Sequence, residues 1–211
     1  MKKVLAVLGM AVLIGCSSAY YNTMEKFGVH KRDIMVSRVE EARDSQKDAE
    51  KQFTSALEQF KSVVAVDGGN IEPIYKKLNK EYEESKAAAQ EIRDRIDSVE
   101  SVSKALFKEW EEELKQYSSA QLRSESQRKL TATKAQYQRL ITAMRKTESR
   151  LDPVLTAMND QVLYLKHNLN ARAIQSMRQE VVKIDKDVDV LLAAMRTSIA
   201  EAEAFIKEIK D

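Results

Sequence analysis

Few side chains in this sequence are of a type and spacing that could do chemistry. Cys16 is the one cysteine, a thiol nucleophile that cannot close an internal disulfide, and a zinc cluster needs several ligands. His30 and His167 are the two histidines. A di-iron site in a helical bundle draws on paired Glu-x-x-His motifs, but Phe27 and Tyr164 stand three residues before the histidines. His30 precedes Lys31-Arg32 and is expected in solvent. His167 falls near a helix C-terminus, where partial positive charge is favourable. No nucleophile–histidine–carboxylate triad can be built from these two. Beyond Cys16 the glycines are Gly28, Gly68 and Gly69, so GxxxxGK[ST] is absent and Gly68-Gly69 reads as a turn. Carboxylate pairs such as Glu40–Asp44 and Glu109–Glu113 share a helix face without a pocket marked around them, and read as solvated faces. The expectation is a chain without catalytic, cofactor-binding or metal-binding residues, and no enzyme.

Cys16 has a different chemistry written around it. Lys2 and Lys3 make a positive start, and Val4 to Ile14 is an apolar run broken by Gly9. That run suits the core of a signal peptide and is too short to span a bilayer, which takes ~20 apolar residues. Leu13-Ile14-Gly15-Cys16 then resembles the bacterial lipobox. A small residue fits the peptidase before the cut, and the Cys16 thiol takes a diacylglyceryl group. Each buried CH2 contributes ~0.8 kcal/mol, so several acyl chains on one residue hold firmly. The expected cleavage is between Gly15 and Cys16, with Cys16 lipidated. The alternatives are an ordinary secretory leader with a chance cysteine, or an uncleaved short anchor. Ser17 stands where an aspartate would resemble an inner-membrane retention signal, which favours an outer-membrane lipid anchor facing the periplasm.

The elements that would be carried by this anchor are helical. Charged residues make up 32% and aromatics 6%, with five glycines and two prolines, which is the mixture long helices need. Residues 1–15 read as signal peptide, 16–23 as the lipidated cysteine and tether, and 24–211 as one helical coiled-coil domain. A first helix over about 24–66 has the seam Met35, Val39, Ala42, Gln46, Ala49, Phe53, Ala56, Phe60, Val63, alternating steps of four and three. Asp67-Gly68-Gly69-Asn70 ends it, with Asn70 able to cap the next helix and Pro73 in its first turn. The second, about 71–117, runs through Tyr75, Leu78, Tyr82, Ser85, Ala89, Ile92, Ile96, Val99, Ser103, Leu106 and Trp110. Tyr117-Ser118-Ser119 is the weakest boundary, because serine only mildly disfavours helix.

The third segment starts near Ala120 with Leu130, Tyr137, Leu140, Met144 and Leu151, meets Asp152-Pro153, where it restarts or kinks, and resumes through Leu155, Met158, Val162, Leu165 and Leu169. Asn168 and Asn170 mark a turn. The last helix, about 171–210, carries Ile174, Met177, Val181, Ile184, Val188, Leu191, Met195, Ser198, Ala202, Phe205 and Ile209. The fold expected is all-α, an elongated antiparallel bundle of four long helices, each roughly 60–75 Å at 1.5 Å per residue. The alternative is a three-element rod in which the second and third segments merge.

Charge bears on both pairing and partners. Lys2 and Lys3 account for the net +2, so the rest of the chain is balanced and no overall field recruits nucleic acid or anionic lipid. Residues 120–150 hold eight basic side chains against Glu125 and Glu148. Folded back antiparallel, Glu109, Glu111, Glu112 and Glu113 would lie near Arg123, Arg128 and Lys129, pairs that help choose orientation.

One run is distinctive: Asp152-Pro153-Val154-Leu155, then Asp160-Gln161-Val162-Leu163-Tyr164-Leu165-Lys166-His167-Asn168-Leu169-Asn170-Ala171-Arg172-Ala173-Ile174. With Ser118-Ser119-Ala120-Gln121-Leu122-Arg123 and Tyr20-Tyr21 through Lys31-Arg32, it resembles the bacterial domain of unknown function 2959 family over nearly the whole chain after Cys16. That resemblance implies a helical, often lipoprotein-like protein, and supplies no catalytic residues. His167, Asn168 and Asn170 at a helix turn could form a partner-docking tip, or a structural cap.

The function expected is a non-enzymatic, lipid-anchored scaffold or adaptor of the cell envelope. Its partners would be the membrane, through the lipid, and an envelope protein or a second copy, through the coiled coil. The alternative is a membrane-active or lipid-handling bundle that opens its apolar seam.

Overall fold

The computed structural model describes residues 30–64, 71–169 and 171–210. Gly15, Cys16, the tether, residues 24–29, the Asp67–Asn70 turn and Asn170 lie outside the described residues. Four helices follow one another: α1 (Lys31–Val64), α2 (Glu72–Leu114), α3 (Ala120–His167) and α4 (Ala171–Lys210). Each packs on two others, α1 on α2 and α4, and α3 on the same two, which makes a four-membered ring. Ion pairs fix the antiparallel sense. Along α1, Glu40, Lys47, Glu50 and Lys61 meet Lys210, Glu203, Arg196 and Asp185, so one chain rises as the other descends. At ~1.5 Å per residue the longest helix, α3, spans about 72 Å. Among the described residues no helix is long and apolar enough to cross a membrane.

The heptad seams become the core. Every seam position of α1 and of α4 is buried. Phe53, Phe60, Ile92, Ile96, Met144, Leu151, Leu191 and Phe205 lie fully inside. The reason is geometric: steps of three and four keep one stripe of each helix facing its neighbours along the whole length. Tyr75, Tyr82, Trp110 and Tyr137 sit on the rim of the seam, half-buried, so each ring packs while its polar tip stays within reach of water. Burial pushes the Tyr137 phenol up, with a hydrogen bond to Ser103 working against it.

The structure settles three open points. The chain breaks between α2 and α3, so the three-element rod is excluded. Lys115 and Gln116 donate their backbone N–H groups to the Glu112 and Glu113 carbonyls at 3.2 and 2.9 Å, tightening the last turn. Ser119 then adopts extended angles (φ −80°, ψ 117°), and its hydroxyl accepts the Leu122 N–H at 3.3 Å. A serine that opposes helix only weakly thus acts through capping. At Asp152-Pro153, by contrast, α3 does not restart. Leu151, Val154 and Leu155 are buried on both sides of the exposed proline, and this packing carries the helix through. The seam also stops earlier than expected. Leu169 is 47% exposed, because α3 ends at His167 and the residue lies past the cap.

Candidate functional site

Exposed apolar side chains stand at both ends of the bundle, and on the shaft at Val182 and Val190. The distal end holds the α3–α4 turn. Asn168 donates its backbone N–H to the Leu165 carbonyl at 3.1 Å and its side-chain amide to the Tyr164 carbonyl at 2.9 Å. Both acceptors belong to the last turn of α3, where carbonyls have no helical partner. Asn168 is therefore a structural cap, His167 is exposed beside it, and Asn170 of the expected docking trio lies outside the described residues. Leu163 (47% exposed), Tyr164 (40%) and Leu169 surround this cap as outward apolar side chains. Spacing could have found them: with Val162 and Leu165 on the seam, Leu163 and Tyr164 fall off the stripe, and a residue beyond the helix end has no seam to join.

The opposite end is the base, where α1 begins, α2 ends and α3 starts. Lys31 is 5% exposed and its ammonium contacts the Glu109 carboxylate at 2.8 Å. The Trp110 indole N–H donates to the Ser126 hydroxyl at 2.9 Å and ties α2 to α3. A cleft of about 260 Å3 opens between His30, Lys31, Leu106 and Trp110. His30 is exposed, as expected. Leu114 and Leu130 are buried here and lie outside the main core cluster.

The expected charge pairing needs correction. Glu111 pairs with Lys134, Glu112 with Lys115 in its own turn, and Glu109 with Lys31; Arg123, Arg128 and Lys129 meet none of them. Helical side chains lean toward the N-terminus of their own helix. Lys134 therefore reaches back toward the turn, over the Phe107 ring at 5.6 Å, while the three earlier cations stand closer to the start of α3 and are exposed. The Lys134 contact holds the Glu111 carboxyl below its ordinary range.

Further up the shaft, Arg145 bridges α2 and α3. It contacts Asp97 at 2.8 Å, Glu100 at 2.9 Å and Glu148 at 2.6 Å. The hydrogen bonds that Arg145 donates to Glu100 and Glu148 raise its pKa above the usual arginine value. The carboxylates expected on solvated faces are in ion pairs: Glu40 with Lys210, Asp44 with Arg43. Glu109 departs from that expectation by meeting a buried lysine. Among the described residues no three His, Cys, Asp or Glu side chains gather as metal ligands.

No curated protein matches this chain. The family described as "Protein of unknown function (DUF2959)" matches residues 20–209, a span that takes in the four helices but for Lys210, the Ser119 cap and the distal run from Asp160 to Ile174. The chain belongs to that family.

Proposed function

We propose that this protein is a lipid-anchored, non-enzymatic scaffold or adaptor of the cell envelope, cleaved before Cys16, acylated on it, and held in the outer membrane facing the periplasm. The observation that carries the reading is the polarity of the rod. The chain enters at the base, and the outward apolar side chains Leu163, Tyr164 and Leu169 gather around the turn at the far end of α3. An anchored rod of this length offers its distal turn to a partner roughly 70 Å from the base. The four-helix core buries the heptad seams, so recognition of an envelope protein or a second copy falls to surface groups, and the distal cluster is an apolar one among them.

In-cell cross-linking, detergent purification and mass spectrometry, on the natural protein and on Cys16→Ser, test this directly. Acyl mass on Cys16 and a specific envelope protein or second copy captured by the natural form, lost in Cys16→Ser, are the expected results. Absence of the acyl mass overturns the anchor. Capture of nothing overturns the adaptor.

A second reading, a bundle that opens to handle lipid, has one feature in its favour. Gln46 is fully buried with neither amide atom hydrogen-bonded, and the Ser85 and Ser198 hydroxyls are likewise buried without partners, so the closed core carries a cost. Release of dye from vesicles by the natural protein, suppressed by Gln46→Leu, is what that reading requires.

A further inference from the structure

The base of the bundle is a charged and apolar surface with no assigned occupant. Tyr117 and Leu122 are exposed there, Leu122 at 53%. From Ala120 to Lys129, α3 has no buried residue, whereas from Leu130 onward its core stripe is covered. The backward extension of that stripe falls on Ser126 and Arg123, and Leu122 stands beside it as an uncovered apolar side chain. Around it stand Arg123, Arg128 and Lys129, exposed and in no ion pair among the described residues, with Glu125 the one carboxylate on the same three turns. Helical side chains tend to lean toward the N-terminus of their own helix, which for these three is the base.

We propose that this end of the molecule seats on an anionic phospholipid surface, with Leu122 and Tyr117 at the headgroup boundary and Arg123, Arg128 and Lys129 on lipid phosphates. The inference rests on the lipid-anchored reading of Cys16 and deepens it. Two observations favour a bilayer over other occupants. The first is reach: Cys16 precedes His30 by fourteen residues, a span of at most ~50 Å when fully extended, and His30 lies at the base. The tether therefore delivers this end, and not the distal one, to the membrane. The second is chemistry: unpaired cations on the same end as an exposed tyrosine and leucine are what an interface of phosphates over acyl chains accepts. The rod then stands on the membrane instead of swinging from its tether, which fixes the direction in which the distal turn points.

Trp110 is the chain's one tryptophan and is tied to Ser126 beside this surface, so it reports contact without a label. The natural purified protein is reconstituted with vesicles of phosphatidylcholine alone or with phosphatidylglycerol, each containing brominated lipid. Quenching of Trp110 at least twofold stronger with phosphatidylglycerol is expected, and the triple variant Arg123→Glu, Arg128→Glu, Lys129→Glu should lose it with an unchanged melting temperature. Quenching that is absent, equal on both lipids, or retained in the triple variant overturns the proposal; an acidic protein as the true occupant would give the first of these. Flotation and the mass of Cys16 are read in the same samples. A lipidated chain that floats but shows no charge-dependent quenching refutes the seated base alone. A chain without acyl mass that still shows the quenching refutes the anchor alone.

Discussion

The two ends of α3 solve the problem of a helix terminus in opposite ways. At the base, α3 begins with a serine cap and ten residues none of which is fully buried, steadied by Trp110–Ser126, with Leu114 and Leu130 buried nearby outside the main cluster. At the distal turn the main core runs up to Val162, Leu165, Ala173 and Ile174, and the cap is Asn168. Exposed apolar residues occur at both ends, but for different reasons. Leu122 is exposed because the base lacks covering helices. Leu163 and Tyr164 are exposed although a complete four-helix core lies beside them. Distal exposure is thus a property of where those side chains point, and basal exposure a property of how far α3 extends.

The largest effect that separates the two regimes is cavity formation. Leu191 and Leu130 are both fully buried, one in the main cluster and one outside it. Leu191→Ala should cost about 4 kcal/mol and Leu130→Ala about 2, because a thinly covered site collapses more readily around the lost atoms. Urea unfolding of the two variants measures this, and equal costs would show that the base is as well packed as the shaft.

Next in size is Gln46, at the middle of the α1 seam. Replacing its unpartnered amide with an apolar group of similar shape, Gln46→Leu, should stabilise the shaft by about 1 kcal/mol. A destabilised variant in the same unfolding experiment would mean that the amide is hydrogen-bonded in solution.

Gln46 also marks what the sequence could and could not convey. Its place on the seam was legible from the alternation of three and four, which reads any side chain at that spacing as inward. The four helices and nearly all of the core followed from the same rule, while the turn at Ser118-Ser119 rested on the weaker signal of serine's mild disfavour for helix. Leu169 was misplaced because periodicity has no term for where a helix stops. The outward Leu163 and Tyr164 were within reach of the same spacing, whereas the choice between a cap and a docking tip at Asn168 needed the actual end of α3. The charge pairing failed for a related reason: antiparallel folding fixes which helices meet, while the lean of each side chain decides that Lys134, and not Arg128, reaches Glu111.

At the distal turn, stability and function should separate. Tyr164→Ser with Leu169→Ser removes exposed side chains and should change the unfolding free energy by less than about 0.5 kcal/mol, while abolishing partner capture in cells. A large loss of stability would place these residues in the core economy of the bundle and remove the contrast between the two ends.

The smallest expected effect is electrostatic and belongs to the base. Lys134 holds the Glu111 carboxyl below its ordinary pKa of 4.5. A carboxylate whose folded pKa is depressed stabilises the fold above the unfolded value, and loses that contribution as pH falls through the folded one. Lys134→Gln should therefore lower the melting temperature slightly at pH 7, and the difference from the natural protein should close as pH falls below about 4. The pair is exposed and screened, so raising the salt at pH 7 should shrink the same difference. A difference that persisted in acid would assign Lys134 its role through packing on Phe107 instead, since the aliphatic stem and the ring contact do not titrate in that range.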